Sequence, residues 1–386
     1  MLSPQWMRRF PWLLVAAVLF LVAAGWAGMA RCEALGAGQR LMARQAVWTF
    51  MAAAAACAAA LIPYRVLGRW SYGLLTAAIC LLLLVYLFPP INGARRWIRV
   101  GSVGFQPSEL TKLAYVLGLA WYLRYRETHR RLIGLLGPLV LTLVPVVLIL
   151  REPDLGTAAV FLPVLFVMLF AAGARRRDLA KLVAAGLVSL PLLWTQMTAE
   201  QRSRVTALWD QAGPGEVATD AAYHLRQAKQ VLALGGLWGS AVTGAVVQDP
   251  AAYHLPAAHS DFVLCVLGER FGLIGVGVLL ALYGVVSWQG LAVAQAAREP
   301  FGRLLATGLI AVIAVQVLIN AAMTVGLMPI TGLSLPLVSY GGSGLVVQGI
   351  GVGLLVNIAL RPGYELGRDP FCYATAQGSK VRRPAR

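Results

Sequence analysis

The feature that most constrains this chain is a recurrence. Apolar runs close to 20 residues long are divided by short stretches that carry most of its basic residues. "PWLLVAAVLFLVAAGWAGM" is the first such run and "GLVVQGIGVGLLVNIAL" the last. About 20 helical residues cross the ~30 Å hydrocarbon layer of a bilayer. Of the 386 residues, 59% are hydrophobic and only 13% are Asp, Glu, Lys or Arg, too few to clothe a soluble globule. A membrane barrel would need short segments of alternating hydrophobicity, and none are found. The fold class is all-α, a polytopic membrane protein.

Ten spans are expected, at about 11–30, 45–64, 70–90, 108–123, 132–150, 157–174, 182–198, 262–288, 303–325 and 343–360. The first run is longer than a secretory signal core and lacks a cleavage site, so it reads as a spanning helix. These spans form one domain over 1–361, with a basic tail at 362–386. A long extracytoplasmic loop, 199–260, separates the seventh and eighth spans, and its stretch 231–247 reads as re-entrant or interfacial. The net charge of +17 does not indicate nucleic acid, because the basic residues cluster between spans as "RYRETHRR" and "RRRDLAK". With the N-terminus inside, most of the 33 Lys and Arg fall on the cytoplasmic side, as the positive-inside rule requires. Both termini are then cytoplasmic. The five cysteines show no paired spacing, so neither a disulfide scaffold nor a metal knuckle is expected.

The polar residues that break this pattern gather at the outer mouths of the spans. "NGARRWIRV" puts Arg95, Arg96 and Arg99 where basic residues are usually scarce. They suit either headgroup anchoring, with Trp97 in the interfacial belt, or an anionic headgroup or diphosphate. Glu109 and Lys112, three apart, share one helix face inside the fourth span, either as an internal salt bridge or as part of a site. In "REPDLGT", Asp154 is a helix cap or, with Arg151 and Glu152, a phosphate or cation site. In "AAHSDF", Asp261 opens the eighth span beside Ser260 and His259, more polar groups than a cap needs. The last outer loop, "GLMPITGLSLPLVSYGGSGL", is shaped by two prolines and five glycines. Its N–H groups around Ser339 are candidates to receive anionic oxygens. No nucleotide-binding pattern is present.

Four motifs stand in order along the chain: "FQPSELTKLA", "EPDLGTA", "HSDFVLCVLGERFGLIG" and "GLMPITGLSLPLVSYGGSG". Together they resemble the SEDS family of bacterial shape, elongation, division and sporulation proteins, over about 11–361. The lean is slightly toward its RodA-like branch, with the FtsW-like branch as close alternative. The resemblance implies a peptidoglycan glycosyltransferase of the bacterial cytoplasmic (inner) membrane. It would polymerise lipid II on the outer face, release undecaprenyl diphosphate and act with a class B penicillin-binding protein. It also implies that Asp261 is the essential aspartate, that Glu109 and Lys112 are the family's intramembrane pair, and that Asp154 and Trp97 match further motif positions. "YHLRQAKQ" matches another, through Tyr223, Gln227 and Lys229. Departures are Ala257 where a glutamate commonly stands, Ser260 for threonine, and Arg270 for a second glutamate.

The chemistry follows from that substrate. The acceptor hydroxyl must lose a proton as the bond forms, and charge growing on the diphosphate must be stabilised. An α-linked donor and β-linked product need only one inverting displacement. Asp261 is the expected base and His259 its rival; the three arginines and Lys112 are the expected cations. A divalent cation, magnesium or manganese, at Glu152, Asp154 or Asp261 is a further candidate. Two other functions remain open on the residues alone: transport of a lipid-linked precursor, and a non-enzymatic scaffold for wall synthesis.

Overall fold

The computed structural model describes residues 7, 9–36, 40–90, 94–101, 103–126, 132–208, 220–244 and 255–362. The basic tail after 362 and the turn-rich residues 209–219 lie outside them. The helices are α1 Trp12–Ala34, α2 Leu41–Leu61, α3 Tyr64–Arg69, α4 Ser71–Leu84, α5 Pro107–Leu123, α6 Leu136–Arg151 and α7 Leu155–Ala171. They continue as α8 Arg176–Gln196, α9 Ala199–Thr206, α10 Asp220–Leu234, α11 Ser240–Thr243, α12 Val263–Ala296, α13 Pro300–Val325 and α14 Ser343–Leu360. A two-stranded antiparallel hairpin, β1 Ile98–Val100 and β2 Val103–Phe105, precedes α5.

Among the described residues, six helical stretches are long and apolar enough to cross a membrane: α1, α2, α6 with its leading turn, α12, α13 and α14. The apolar stretches Ser71–Leu87 and Leu155–Ala171 are shorter. Two further expected spans are not among these. α5 has 17 residues and buries Glu109 and Lys112 in its first turns. α8 begins with Arg176, Arg177, Asp178 and Lys181. Large apolar side chains cover the outside of the bundle, among them Phe50, Trp70, Val188 and Trp288. Water would penalise so much apolar surface, whereas lipid does not. The chain is an all-α polytopic membrane protein.

Local chemistry sets the helix ends. Pro107 and Pro300 open α5 and α13, where a missing N–H costs nothing. Asp154 caps α7, accepting from the Thr157 N–H at 3.1 Å and the Thr157 hydroxyl at 3.0 Å. Gly326 ends α13 at φ 81°, a left-handed cap suited to glycine.

Packing then brings the loops together. α13 and α14 are the buried centre, and α13 packs against α5, α7 and α12. α14 lies along α2. Gly349 and Gly353 face the carbonyls of Ala52 and Ala56 so closely that a Cβ would collide, the small-residue contact that lets membrane helices approach. Asn357 donates to the carbonyls of Ala59 and Ala60, satisfying the end of α2. α12 breaks at Gly272, φ 69°. There residues 235–239 dock, with the N–H of Leu273 donating to Gly236 O at 2.9 Å and that of Ile274 to Leu237 O at 3.3 Å. Within 231–247, α10 stops at Leu234 and α11 has four residues, while 245–247 lie outside the described residues.

Candidate active site

Four loops meet at one end of the bundle: the segment 94–106 with its hairpin, the turn 152–154, the turn 255–262, and the loop 326–342. Arg96 comes from the first, and its Nη1 stands 4.0 Å from Asp154 Oδ1. The Arg96 Nε is buried without a hydrogen-bond partner among the described residues. Gln106, just before α5, donates from Nε2 to Asp154 Oδ2 at 3.2 Å and to Ser108 Oγ at 3.0 Å. Its backbone N–H donates to Ser343 Oγ at 3.1 Å. Asp154 is therefore a cap and, at the same time, the tie between the turn 152–154 and the segment 94–106.

Asp261 is half-buried, and burial is the main reason its carboxyl is pushed up to about 6. A hydrogen bond from the Ser260 side chain pulls the other way, Asp154 raises it further, and Arg96 and Arg204 lower it. Asp261, Asp154 and Arg96 thus share one electrostatic field. A Cβ on Gly332 would stand 3.5 Å from Asp261 Oδ2, so the carboxylate lies against that backbone. His259 is half-buried, and burial pulls its imidazole below the usual value. Its ring meets Tyr340 edge-on, centroids 5.7 Å apart.

Glu109 and Lys112 form a buried ion pair, Nζ to Oε1 at 2.8 Å. Gly344 at the start of α14 packs 3.4 Å from Glu109 Oε2 by its would-be Cβ. The pair lines a cavity of about 40 Å³ together with Val116, Leu309, Gln316 and Val347. The remaining arginines are exposed: Arg95 donates to Tyr86 O at 2.9 Å, and Arg99 lies on β1. Trp97 packs over Gly104 across the hairpin. Ser339 spends its hydroxyl on the loop itself, accepting from Leu335 N–H at 2.8 Å and donating to Ser260 O at 2.5 Å.

Gln227 and Lys229 sit on α10, which packs against α12 and α13. Gln227 is buried, and Lys229 Nζ lies beside Gly326. They flank the apolar support of the Asp261 turn, where Leu225, Ala228 and Val231 cluster with Leu255, Ala258 and Phe262. Among the described residues no three His, Cys, Asp or Glu side chains gather as a metal-holding group. Glu152, however, is fully buried, and neither carboxyl oxygen has a hydrogen-bond partner among the described residues. Burial, and next Asp154, push its carboxyl up to about 8, against the pull of Arg96.

The sequence reading passed over Gln106 and Ser343, which sit inside quoted motifs, and Asn320. Asn320 is fully buried and donates to Asp261 O at 2.8 Å and Leu333 O at 2.7 Å. A lone asparagine in "VQVLINAAMTV" was signal enough, since a polar side chain inside a span calls for a reason.

A meeting of loops of this kind, carried by a helical membrane bundle, has known counterparts. The cell cycle protein family that comprises FtsW, RodA and SpoVE matches residues 5–362. The chain belongs to that family. Among its relatives is a probable peptidoglycan glycosyltransferase FtsW from Geobacter sulfurreducens, 36% identical over 331 residues, covering 84% of this chain and 86% of the relative. The peptidoglycan glycosyltransferase MrdB of Escherichia coli is 38% identical over 300 residues, covering 77% and 80%. The crystal structure of Thermus thermophilus rod shape determining protein RodA superposes with a TM-score of 0.66, at 31% identity, over 91% of this chain and 96% of that one. A chain from work on structural coordination of polymerization and crosslinking by a peptidoglycan synthase complex gives 0.77, at 32% identity, over 91% and 97%.

Proposed function

We infer that the chain is a peptidoglycan glycosyltransferase, building glycan strands, and that Asp261 is the general base of the transfer. The observation that carries the assignment of the base is the shared field of Asp261, Asp154 and Arg96, three residues from three loops. An ordinary aspartate near 3.9 is a weak base. One raised to about 6 accepts a proton more readily and is still largely ionised at neutral pH.

In this reading lipid II supplies both donor and acceptor. Asp261 takes the proton of the acceptor 4-hydroxyl as its oxygen attacks C1 of the donor sugar. Undecaprenyl diphosphate leaves from the opposite face, in one inverting step. Arg96 meets the diphosphate, held in place by Asp154. Arg95, Trp97 and Arg99 guide the headgroup on the exposed hairpin, and His259 and Ser339 shape the turn around the base. Gln227 and Lys229 brace it from α10. The Lys112–Glu109 pair carries polar character into the apolar layer, where the substrate enters.

Magnesium or manganese fits the unpartnered Glu152 oxygens with Asp154 as a second donor, both being hard oxygen ligands. Such an ion would neutralise charge on the leaving diphosphate. Asp261 is then left free as the base.

Ten spans, both termini in the cytoplasm and an outward-facing site complete the arrangement, with 1–361 as one domain and 362–386 as its tail. The partner is a class B penicillin-binding protein, in elongation or division; the likeness to a chain of a peptidoglycan synthase complex supports a partner of that general kind. The test is purified protein with lipid II in detergent, with and without a chelator. A transferase makes glycan with no membrane to cross, and chelation lowers the yield. A precursor transporter or a scaffold makes none, which would overturn the reading.

A further inference from the structure

We propose that Asn320 on α13 is a positioning residue that holds the backbone of Asp261, so that its carboxylate meets the acceptor at a fixed angle. The proposal rests on Asp261 being the base. An asparagine buried in a membrane helix is costly unless its amide is used. The two such residues in the central helices are used differently. Asn357 donates to carbonyls at the end of α2, which any helix end must satisfy. Asn320 caps no helix. Its Nδ2 donates to Asp261 O in one loop and Leu333 O in another, at 2.8 and 2.7 Å. Its Oδ1 has no partner among the described residues, so the donor pair alone accounts for the amide.

The neighbouring contacts show what this pair controls. Three successive carbonyls of the base's turn each accept a hydrogen bond. His259 O accepts from the Tyr340 N–H at 2.9 Å, Ser260 O from the Ser339 hydroxyl, and Asp261 O from Asn320. The first two donors belong to the loop 326–342 itself, so they join loop to loop. Asn320 alone of the three comes from a core helix, and it grips both loops. Leu333 follows Gly332, the backbone against which the Asp261 carboxylate lies. One planar NH2 group with two donors thus fixes the peptide that carries the carboxylate and the surface beside it. A misplacement of about 1 Å at a reacting group costs on the order of a hundredfold in rate.

The experiment compares turnover of lipid II by the purified full chain with Asn320→Leu, Asn320→His, Asn320→Ala and Asp261→Asn. Asn320→Leu removes both donors in an apolar shape. Turnover should fall by about ten- to a hundredfold, with the KM for lipid II and the melting temperature close to the parent's. Asn320→His, which keeps one donor near the same place, should recover part of the loss. If the leucine variant does not fold, Asn320→Ala takes its place, losing the donors in a smaller side chain. Parent-like turnover in the donorless variant overturns the proposal, as does a loss carried by KM or melting temperature, or a histidine variant no better than the donorless one. Full activity in Asp261→Asn would instead sink the base assignment itself. An inactive Asp261→Asn beside a fully active donorless Asn320 variant removes the positioning role alone.

Discussion

A carboxylate at the head of an apolar helix has two demands on it, and Asp261 meets them by position. Water reaches the half-buried group, while burial keeps its carboxyl near 6. The sign of the pH effect follows. As the proposed base Asp261 works ionised, so turnover should fall as pH drops through about 6 and stay flat above it until another group titrates. A pH–rate profile for lipid II polymerisation checks this; an acid limb centred near 4 would mean that arginines, not burial, set the group. Stability moves the opposite way. The folded chain holds this proton more tightly than the unfolded chain, so Asp261 subtracts stability as pH rises from about 4 to about 6. Most of the candidate site was legible at this scale, because ionisable groups at span mouths announce themselves. Asp154, Arg96 and Asp261 were named from their motifs and lie in one field. The N–H groups around Ser339 were read as receptors for anions, yet those of Ser339 and Tyr340 donate to Leu335 O and His259 O, a use only the backbone path reveals.

Elements bring these residues together, and their contacts explain what periodicity alone left open. Apolar run length located the helices that became α1, α2, α6, α12, α13 and α14, because length and hydropathy govern a span. It could not say which run lies at the centre, since a lipid-facing and a protein-facing leucine look alike in sequence. The break in α12 at Gly272 was also hidden, for the run reads as continuous and only docking of 235–239 requires the bend. The tightest helix contact is α14 on α2 through Gly349 and Gly353. Gly353→Val should force the two apart and lower the yield of monodisperse protein after detergent extraction. Gly277→Val, where a Cβ meets nothing within 4 Å, should not. Equal yields for the two variants would mean that close approach at α2 contributes little.

At the scale of the whole molecule, charge and apolar surface orient the chain. In the proposed ten-span arrangement basic clusters such as Arg175 to Arg177 stand opposite the loops that meet at Asp261, and the positive-inside rule would put the clusters in the cytoplasm. A reporter fused after Arg386 that is active only in the cytoplasm should therefore be active. A cysteine placed at Arg99 should react with a membrane-impermeant thiol reagent added outside intact cells. An inactive reporter together with an unlabelled Arg99→Cys would invert the topology and move the site to the wrong face for lipid-linked sugars.

The central claim is that Asp261 carries the chemistry and not the fold. Lipid II polymerisation by purified Asp261→Asn, beside the parent protein, tests it most directly. No glycan product is expected from this variant, which should extract, melt and bind lipid II as the parent does. Parent-like polymer from Asp261→Asn would contradict it.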